Sequence, residues 1–360
     1  MPTVNDETLR AFAAAVMAKL GSNADESACV AQHLVEANLK GHDSHGVGML
    51  PSYVSFANDG LVVPNQPLIT VMDSGPIITF EGGRGFGQRV GRDAIELGIA
   101  RAREQGAAIV ALRNCSHLGR IGTYGEQTVR AGLTSIHFVN VADHAPLQAV
   151  FGGGDARLGT NPICIALPGK PGNSDEDDWV VLDMATSKIA LGKARVARNQ
   201  GVPVGDECLI DGDGRPTNDP TAMVDQRTGA LLPFGGHKGS GLAICCELLA
   251  AALTGGPSIQ PAHPKRHGII NNMLSIIIDQ SVTHPGAAFF DEFKAIKNWV
   301  KAAPVAPAHD AVLLPGEPEK KSRRHRLADG ISIDQMTYDE LKNAASAAGM
   351  AMGDIERYLP

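Results

Sequence analysis

Apolar residues at helical spacing open the chain. Their recurrence every three or four positions predicts a helix over residues 5–20 with one apolar face. The residues of that face are Leu9, Phe12, Val16 and Leu20. A similar spacing predicts a second helix over about residues 25–40, and Gly41 suits its end. We therefore expect residues 1–75 to form the N-terminal part of a helical domain.

The middle of the chain alternates between apolar strands and helices. The predicted strands cover residues 76–80, 107–112, 135–141, 162–167, 179–183 and 268–278. The predicted helices cover residues 88–105 and the stretch after Gly119 to about Ala131. This alternation indicates a mixed α/β domain, which we expect over residues 76–300. Within it, residues 239–254 are apolar on nearly every side, which predicts a fully buried helix.

The C-terminal segment, residues 301–360, is predicted to return to helix. A capping box at Thr337-Tyr338-Asp339-Glu340 predicts a helix that runs to about residue 348. Before it, the proline spacing of residues 304–318 predicts a linker, and the basic run over residues 320–326 predicts a solvated or loop segment. We expect this segment to pack with the N-terminal one as a single helical domain.

The composition narrows the class of protein. A formal net charge of −7 disfavours nucleic acid as a partner, because binding to phosphates needs a basic face. No uncharged run is long enough to span a membrane, and the N-terminus does not have the pattern of a signal peptide. The six cysteines are irregularly spaced and lack a CxxC pair, which favours reduced thiols over a disulfide framework. These features predict a cytoplasmic protein and disfavour both nucleic acid and a membrane as partners.

Two loops that carry histidines are the first candidates for chemistry. His45 follows the second predicted helix, and His117 lies in a predicted loop over residues 114–119, at the end of a strand where α/β sheets place ligands. Since histidine titrates near neutral pH, either ring can exchange a proton with a substrate oxygen. The plainer alternative is that these residues only turn the chain. A further alternative is a metal site of His42, His45 and His117, which would indicate a metal-dependent lyase or hydrolase.

The glycine-rich segments do not match a standard dinucleotide-binding finger. Residues 82–87 lie between a strand and a helix, but Val90 stands where the third glycine of the GxGxxG pattern belongs. Residues 152–154 also fail the pattern. A third segment, residues 234–239, places Lys238 just before a helix, where it could pair with a phosphate or carboxylate. An ordinary loop lysine is the alternative.

Six segments of the chain form a recognisable series in a fixed order. They are Gly41-His42-Asp43-Ser44-His45-Gly46-Val47, residues 114–119, Leu158-Gly159-Thr160-Asn161-Pro162, Leu182-Asp183-Met184-Ala185-Thr186-Ser187, Gly236-His237-Lys238-Gly239 and Leu314-Pro315-Gly316-Glu317. Together they resemble the malate/L-lactate dehydrogenase-like family, type 2, over nearly the whole chain. The resemblance implies a non-Rossmann nucleotide-binding α/β domain plus a helical domain formed from both chain ends. It also implies a homodimer that transfers a hydride between NAD(P)H and a 2-oxo acid or 2-hydroxy acid.

The resemblance also implies roles for individual residues. His45 and His117 match histidines that transfer a proton in members of the family. Asp183 matches a residue that orients a ligand or a histidine. The implied contacts to NAD or NADP are His45, Gly119, Arg120, Ile121, Val181, Leu182, Asp183, Met184, Ala185, His237, Lys238, Asn271, Leu314, Pro315, Gly316 and Glu317. The implied substrate contacts are Ser44, Arg120, Thr160 and Asn161. No metal ligand is expected.

One position departs from the family pattern. Many members carry an arginine that suits the substrate carboxylate where this chain has Met49. Our candidate replacement is Arg120, because a guanidinium binds a carboxylate through two parallel hydrogen bonds. The alternative for Arg120 is an ordinary surface helix residue. The resemblance also leaves open a second function, NADPH-dependent reduction of a cyclic 2-imino acid, because the family includes an imine reductase.

Overall fold

Both ends of the chain are helical, and strands and helices alternate between them. The computed structural model describes residues 1–170, 176–263, 266–283 and 288–360. Its helices are α1 (Asp6–Lys19), α2 (Ala24–Leu39), α3 (Leu50–Asn58), α4 (Gly87–Gln105), α5 (Gly122–Arg130), α6 (Leu191–Gln200), α7 (Thr221–Val224), α8 (His237–Glu247), α9 (Gln280–Thr283), α10 (Ala288–Lys301), α11 (Glu317–Asp329), α12 (Gln335–Ala347) and α13 (Met352–Tyr358). Its strands are β1 (Thr3–Val4), β2 (Ile69–Ser74), β3 (Ile77–Glu81), β4 (Ala107–Ser116), β5 (Thr134–Ala142), β6 (Gln148–Ala149), β7 (Ala156–Leu158), β8 (Ile163–Leu167), β9 (Val180–Met184), β10 (Leu209–Ile210), β11 (Pro216–Thr217), β12 (Ala230–Leu231), β13 (Ile270–Ile278) and β14 (Ile331–Ser332).

One apolar core joins the two ends of the chain. Leu9 of α1 and Leu34 of α2 lie in the same buried cluster as Leu341 of α12 and Ile355 of α13. The side chain of Asn5 starts α1 by accepting a hydrogen bond from a backbone N–H of the first turn. The helical part built from both chain ends is therefore confirmed, while the domain boundaries at residues 75 and 300 stay predictions.

A mixed sheet forms the centre of the α/β part. Among the described residues it has seven strands in the order β2-β3-β4-β13-β5-β8-β9. The strands β3 and β4 are parallel, and the other neighbouring pairs are antiparallel. Because β13 lies antiparallel between β4 and β5, those two strands run in the same direction and end at the same edge, where Ile270 pairs with both Ser116 and Ala142. This arrangement differs from the parallel Rossmann sheet and confirms the predicted fold class.

Some strands were not predicted because they lack the pattern that a prediction needs. A second sheet, in the order β11-β10-β12-β6-β7, consists of strands only two or three residues long. Such strands are too short to show alternation of apolar and polar residues. All residues of β2 are exposed, so this strand has no buried face to mark it.

The predicted helix over residues 239–254 exists, but it is not fully buried. It corresponds to α8 and a π-helix over Leu248–Ala252 that follows directly. One side is exposed, with 42% of Ile244, 57% of Leu248 and 64% of Leu253 accessible. The pattern alone cannot distinguish an apolar face buried within one chain from an apolar face at its surface. None of the helices that the structure describes is long and apolar enough to cross a membrane.

The C-terminal helix begins earlier than the capping box predicted. Asp334 accepts the backbone N–H of Thr337 at 3.0 Å and so caps a helix whose first residue is Gln335. The proline-spaced stretch over residues 304–318 is irregular as far as Gly316, and α11 begins at Glu317. Aspartate is as good a helix cap as threonine, which explains the shifted start.

The basic run over residues 320–326 is part of helix α11 and not a loop, and only part of it is solvated, since Lys321 and Arg324 are exposed whereas Lys320 is buried. Arg323 lies 3.0 Å from a carboxylate oxygen of Glu36, and Arg326 lies 2.6 Å from Asp43. Acidic partners on the N-terminal segment therefore hold the basic face of α11 against the body of the protein. Partners so distant in sequence could not be read from the run itself.

Arg89 connects the two parts of the molecule and gives a test of how strongly they are joined. Its Nε lies 2.9 Å from Oε2 of Glu26 on α2, whose side chain is fully buried. Arg89→Met leaves this carboxylate buried without its cation, so we expect the free energy of unfolding in urea to fall by about 3–5 kcal/mol. The matched control is Arg92→Met, which removes an exposed pair with Asp25 that is worth less than about 1 kcal/mol. Equal losses in the two variants would contradict this account.

Candidate active site

The shared edge at the ends of β4 and β5 is where the candidate residues collect. Strand β4 continues to Ser116, so the first half of the predicted loop over residues 114–119 is strand. Asn271, near the start of β13, accepts the backbone N–H of Leu118 at 2.8 Å and donates to a carbonyl oxygen of β5 at 2.9 Å. This buried amide fixes the turn that carries His117, and its predicted contact with the cofactor stays a prediction.

His45 and His117 meet at this edge. Their ring centroids are 5.6 Å apart and their planes differ by 23°. His45 ends a short 3₁₀ turn after α2, and Asn38 of α2 holds that turn by donating to Asp43 Oδ1 at 2.7 Å. The hydroxyl of Ser44 lies 3.0 Å from Nδ1 of His45. Both rings are partly exposed, so a ligand can reach the pair.

The surroundings of both rings favour the neutral form. Burial lowers the pKa of His45 to about 4, although the charge of Asp183 acts in the opposite direction. Burial also holds the pKa of His117 well below its ordinary range, and the nearby rings of His45, His33 and His144 add to this effect. Neutral rings at pH 7 are suited to accept a proton from a substrate hydroxyl.

Three further residues belong to this site and were missed from the sequence. Oη of Tyr53 lies 2.8 Å from Nδ1 of His117, and Nε2 of Gln88 donates to that hydroxyl at 2.6 Å. His144 follows β5 and acts electrostatically on His117. Tyr53 and Gln88 carry no local mark, since each lies on a helix among core residues. His144 does carry one, because it is a histidine just after a strand, as His117 is.

Arg120 is buried beside the histidine pair, so the alternative of a surface helix residue is wrong. One terminal nitrogen donates to Oε1 of Glu126 at 2.8 Å, and Nε lies 3.6 Å from Oδ2 of Asp183. Asp183 also accepts the backbone N–H of Gly122 at 2.7 Å. Within the described residues, Nε of Arg120 has no hydrogen-bond partner. The hydrogen bond between Asp183 and Gly122 ties the end of β9 to the start of α5.

The segments predicted to hold the cofactor lie side by side. The backbone N–H of Val181 donates to the carbonyl oxygen of Pro315 at 3.3 Å. Gly316 has a φ of +92°, and a Cβ there would come within 3.3 Å of the carbonyl oxygen of Val181. Gly119 has a φ of +74°, and a Cβ there would come within 2.5 Å of the His33 ring. Glycine is required at both positions and keeps the backbone free of side chains.

The other predicted residues of these segments flank the same region. Ile121 is buried, and the remaining ones are partly exposed. These partly exposed residues are Leu182, Met184, Ala185, Leu314 and Glu317. Their contacts with a cofactor stay predictions.

Four predicted contacts are grouped around α8 instead. Asn161 is fully buried, and its Nδ2 donates to Glu247 at 2.8 Å, which commits the amide to packing against α8. Thr160, next to it, is partly exposed. His237 and Lys238 are exposed at the first turn of α8. Their roles toward substrate and cofactor stay predictions.

The three histidines of the alternative metal site do not converge. Nε2 of His42 lies 3.2 Å from Glu319, whereas His45 and His117 stack on each other. In the part of the chain that the structure describes, no three His, Cys, Asp or Glu side chains are grouped to hold a metal ion. The geometry therefore gives this alternative no support.

Known proteins with similar sequences and structures identify the family. The family described as malate/L-lactate dehydrogenase matches residues 4–342. Hydroxycarboxylate dehydrogenase B of Escherichia coli (strain K12) is 43% identical over 358 residues, which cover 98% of this chain and 96% of the relative. L-lactate dehydrogenase of Cupriavidus necator is 38% identical over 343 residues, which cover 95% and 97%. The solved structure of sulfolactate dehydrogenase from Methanocaldococcus jannaschii has a TM-score of 0.86 at 32% identity, covering 98% of this chain and 99% of that one.

The chain therefore belongs to the malate/L-lactate dehydrogenase family. This result confirms the family that the six sequence segments indicated. It also confirms the predicted class of enzyme, an NAD(P)-dependent 2-hydroxycarboxylate dehydrogenase.

The low pKa of His45 leads to a prediction about stability in acid. Its folded pKa of about 4 lies below the ordinary 6.5, so its contribution is present above pH 6.5 and lost as the pH falls towards 4. The unfolded chain binds the proton first, which is why stability declines in this window. The free energy of unfolding, measured in urea, should therefore fall less between about pH 6 and pH 5 in His45→Gln than in the wild type. The difference should be up to about 1.4 kcal/mol per pH unit. If the variant and the wild type showed the same dependence of the free energy of unfolding on pH, His45 would have the same pKa in the folded and the unfolded chain.

Proposed function

We propose that the enzyme interconverts a 2-hydroxy acid and its 2-oxo acid with His117 as the residue that moves the proton. The observation that carries this proposal is the stacked pair of His45 and His117, neutral and accessible at the sheet edge. Two of the relatives are named for lactate and for hydroxycarboxylates, which supports the class of substrate.

We propose that the cofactor lies along β9 and residues 314–317. The placement of a nicotinamide nucleotide there is supported by the close packing of the predicted cofactor segments, since Gly316 contacts Val181 of β9 and Gly119 contacts His33 where a Cβ would not fit. The buried Nε of Arg120, which lacks a hydrogen-bond partner among the described residues, is a donor for such a ligand. When bound, the nicotinamide supplies or accepts the hydride. Both NAD and NADP are compatible with these features, so assays should use both.

His117 is favoured over His45 because its Nδ1 is held by a buried hydroxyl from another element, whereas Nδ1 of His45 meets only the exposed hydroxyl of the adjacent Ser44. Tyr53 contacts Nδ1 of His117, which leaves Nε2 for the substrate. In reduction, the protonated ring gives its Nε2 proton to the oxygen that was the carbonyl, and in oxidation the neutral ring takes the hydroxyl proton. The negative carboxylate of a bound substrate favours the protonated ring and offsets the effect of burial. His45 then acts by stacking on His117 and keeping its ring in place.

Of the two roles predicted for Arg120, we favour the one toward the cofactor. Its guanidinium is paired with Glu126 and lies beside Asp183, so most of its charge is already compensated. A substrate carboxylate is bound best by a guanidinium whose hydrogen bonds are still available. Met49 packs against the apolar core of the helical part and offers no charge either. We therefore propose that Arg120 shapes the wall of the cofactor site at Asp183.

We also propose a homodimer that forms through the exposed side of α8 and its π-helical extension. Ile244 and Leu248 lie four residues apart on one side of the helix, and an exposed apolar surface is typical of an interface. Sedimentation of the purified protein measures the assembly.

A cytoplasmic location is supported by the cysteines, all six of which are free.

Removal of His117 tests the proposed function. In His117→Asn, we expect kcat to fall by about 10²–10⁴-fold, the range of general acid–base catalysis, with little change in the Kd of the cofactor. The assay follows oxidation of NADH and of NADPH with a panel of 2-oxo acids and with a cyclic 2-imino acid. The matched control is His325→Asn, an exposed histidine of α11, which should keep the wild-type turnover. Near wild-type turnover in His117→Asn, or turnover of the imino acid alone, would overturn the proposal.

A further inference from the structure

A buried hydrogen-bond chain leads from His117 away from the substrate side into the protein. Nδ1 of His117 is 2.8 Å from the hydroxyl of Tyr53 on α3, and Nε2 of Gln88 on α4 donates to the same hydroxyl at 2.6 Å. Tyr53 and Gln88 are each only 1% exposed. Among the described side chains, Oε1 of Gln88 is one of the few buried polar atoms without a hydrogen-bond partner. The chain of hydrogen bonds thus ends at the amide of Gln88, whose NH₂ group is hydrogen-bonded and whose oxygen is not.

The direction of this chain determines which nitrogen of His117 carries the proton. An amide N–H can only donate, so the Tyr53 hydroxyl accepts from Gln88, and among the described residues Nδ1 of His117 is the remaining partner to which its own hydrogen can go. The neutral ring then carries its proton on Nε2, where it donates a hydrogen bond but cannot accept a proton.

Proton transfer at Nε2 requires the opposite direction. A ring that accepts a proton at Nε2 already carries a hydrogen at Nδ1, and Tyr53 must accept that hydrogen. The hydroxyl of Tyr53 then needs an acceptor of its own. Oε1 of Gln88 becomes that acceptor if the amide turns by half a rotation, which exchanges its two ends.

We propose that Tyr53 and Gln88 are positioning residues that set the tautomer of His117, with the Gln88 amide reversing between the resting and the working enzyme. The inference rests on the proposed role of His117 in proton transfer. In oxidation the O–H bond of the substrate hydroxyl breaks and Nε2 gains the proton. The hydride leaves the carbon that carries this hydroxyl and would pass to the nicotinamide. Nδ1–H meanwhile donates to Tyr53, and Tyr53 donates to Gln88.

The space around the amide is compatible with its reversal. The oxygen and the NH₂ group of an amide are nearly the same size, so a half rotation exchanges them within the volume that the Gln88 side chain already occupies. The other groups that face His117 are His45 at the end of its turn, His33 of α2 and His144 after β5. All three oppose positive charge on the ring and are retained in every Gln88 variant, so differences between those variants report on the hydrogen-bond chain.

Nitrogen NMR of protein with ¹⁵N-labelled histidine tests the inference without relying on activity. The signals of His117 are assigned by their loss in His117→Asn. The unliganded wild type at pH 7 should carry the His117 proton on Nε2. Gln88→Glu offers a carboxylate that accepts from Tyr53, so the proton should move to Nδ1 and the pKa of His117 should rise by about one unit, with a matching shift in the pH profile of kcat. Gln88→Met offers neither donor nor acceptor and should give a mixture of tautomers.

The exposed Gln32→Glu on α2 is the control for an added charge and should leave the His117 signals unchanged. Identical His117 signals in the wild type, Gln88→Glu and Gln88→Met would overturn the inference whatever the kinetics show. If Gln88→Glu does not fold, the Gln88→Met spectrum decides in the same way. If the His117 signals change in the Gln88 variants while His117→Asn keeps its turnover, the proposed function fails. The inference that Tyr53 and Gln88 set the tautomer of His117 then still holds.

Discussion

Buried ion pairs between the helical part and the α/β part hold the two halves of the site together. Lys40 at the end of α2 pairs with Glu126 of α5, and Glu126 also pairs with Arg120, three residues after His117. Separating a buried carboxylate from its cations costs about 3–5 kcal/mol. Since His45 follows α2 and His117 follows β4, their stacking depends on these contacts. The stacked histidine pair exists only where the two parts of the molecule are joined.

The burial that makes these contacts strong also sets the chemistry. His33, close to the same ion pairs, accepts the backbone N–H of Arg120 at 2.9 Å, and burial lowers its pKa to about 3. Burial lowers the pKa of His45 and of His117 in the same direction, so both rings are neutral before a ligand binds. In such surroundings a nearby negative charge acts more strongly than it does in water. In the proposed mechanism, the carboxylate of the substrate therefore favours the protonated form of the ring.

The sequence predicted those features that depend on local pattern. The helices α1, α2 and α4 and the long strands each bury one face or lie wholly inside, so apolar spacing located them. The order of motifs led to the family and to His45 and His117. Features that depend on distant partners were missed or misjudged. Arg120 is buried because Glu126 compensates it, and Tyr53 meets Gln88 only after α3 and α4 pack.

A crystal structure of the enzyme with its nicotinamide cofactor and an unreactive analogue of a 2-oxo acid tests the central claim most directly. The account predicts that the oxygen in the carbonyl position lies about 2.6–3.2 Å from Nε2 of His117, the distance required for proton transfer. It also predicts the nucleotide along β9 and residues 314–317. An analogue whose oxygen contacts His45 alone, or that binds away from the shared end of β4 and β5, would contradict the account.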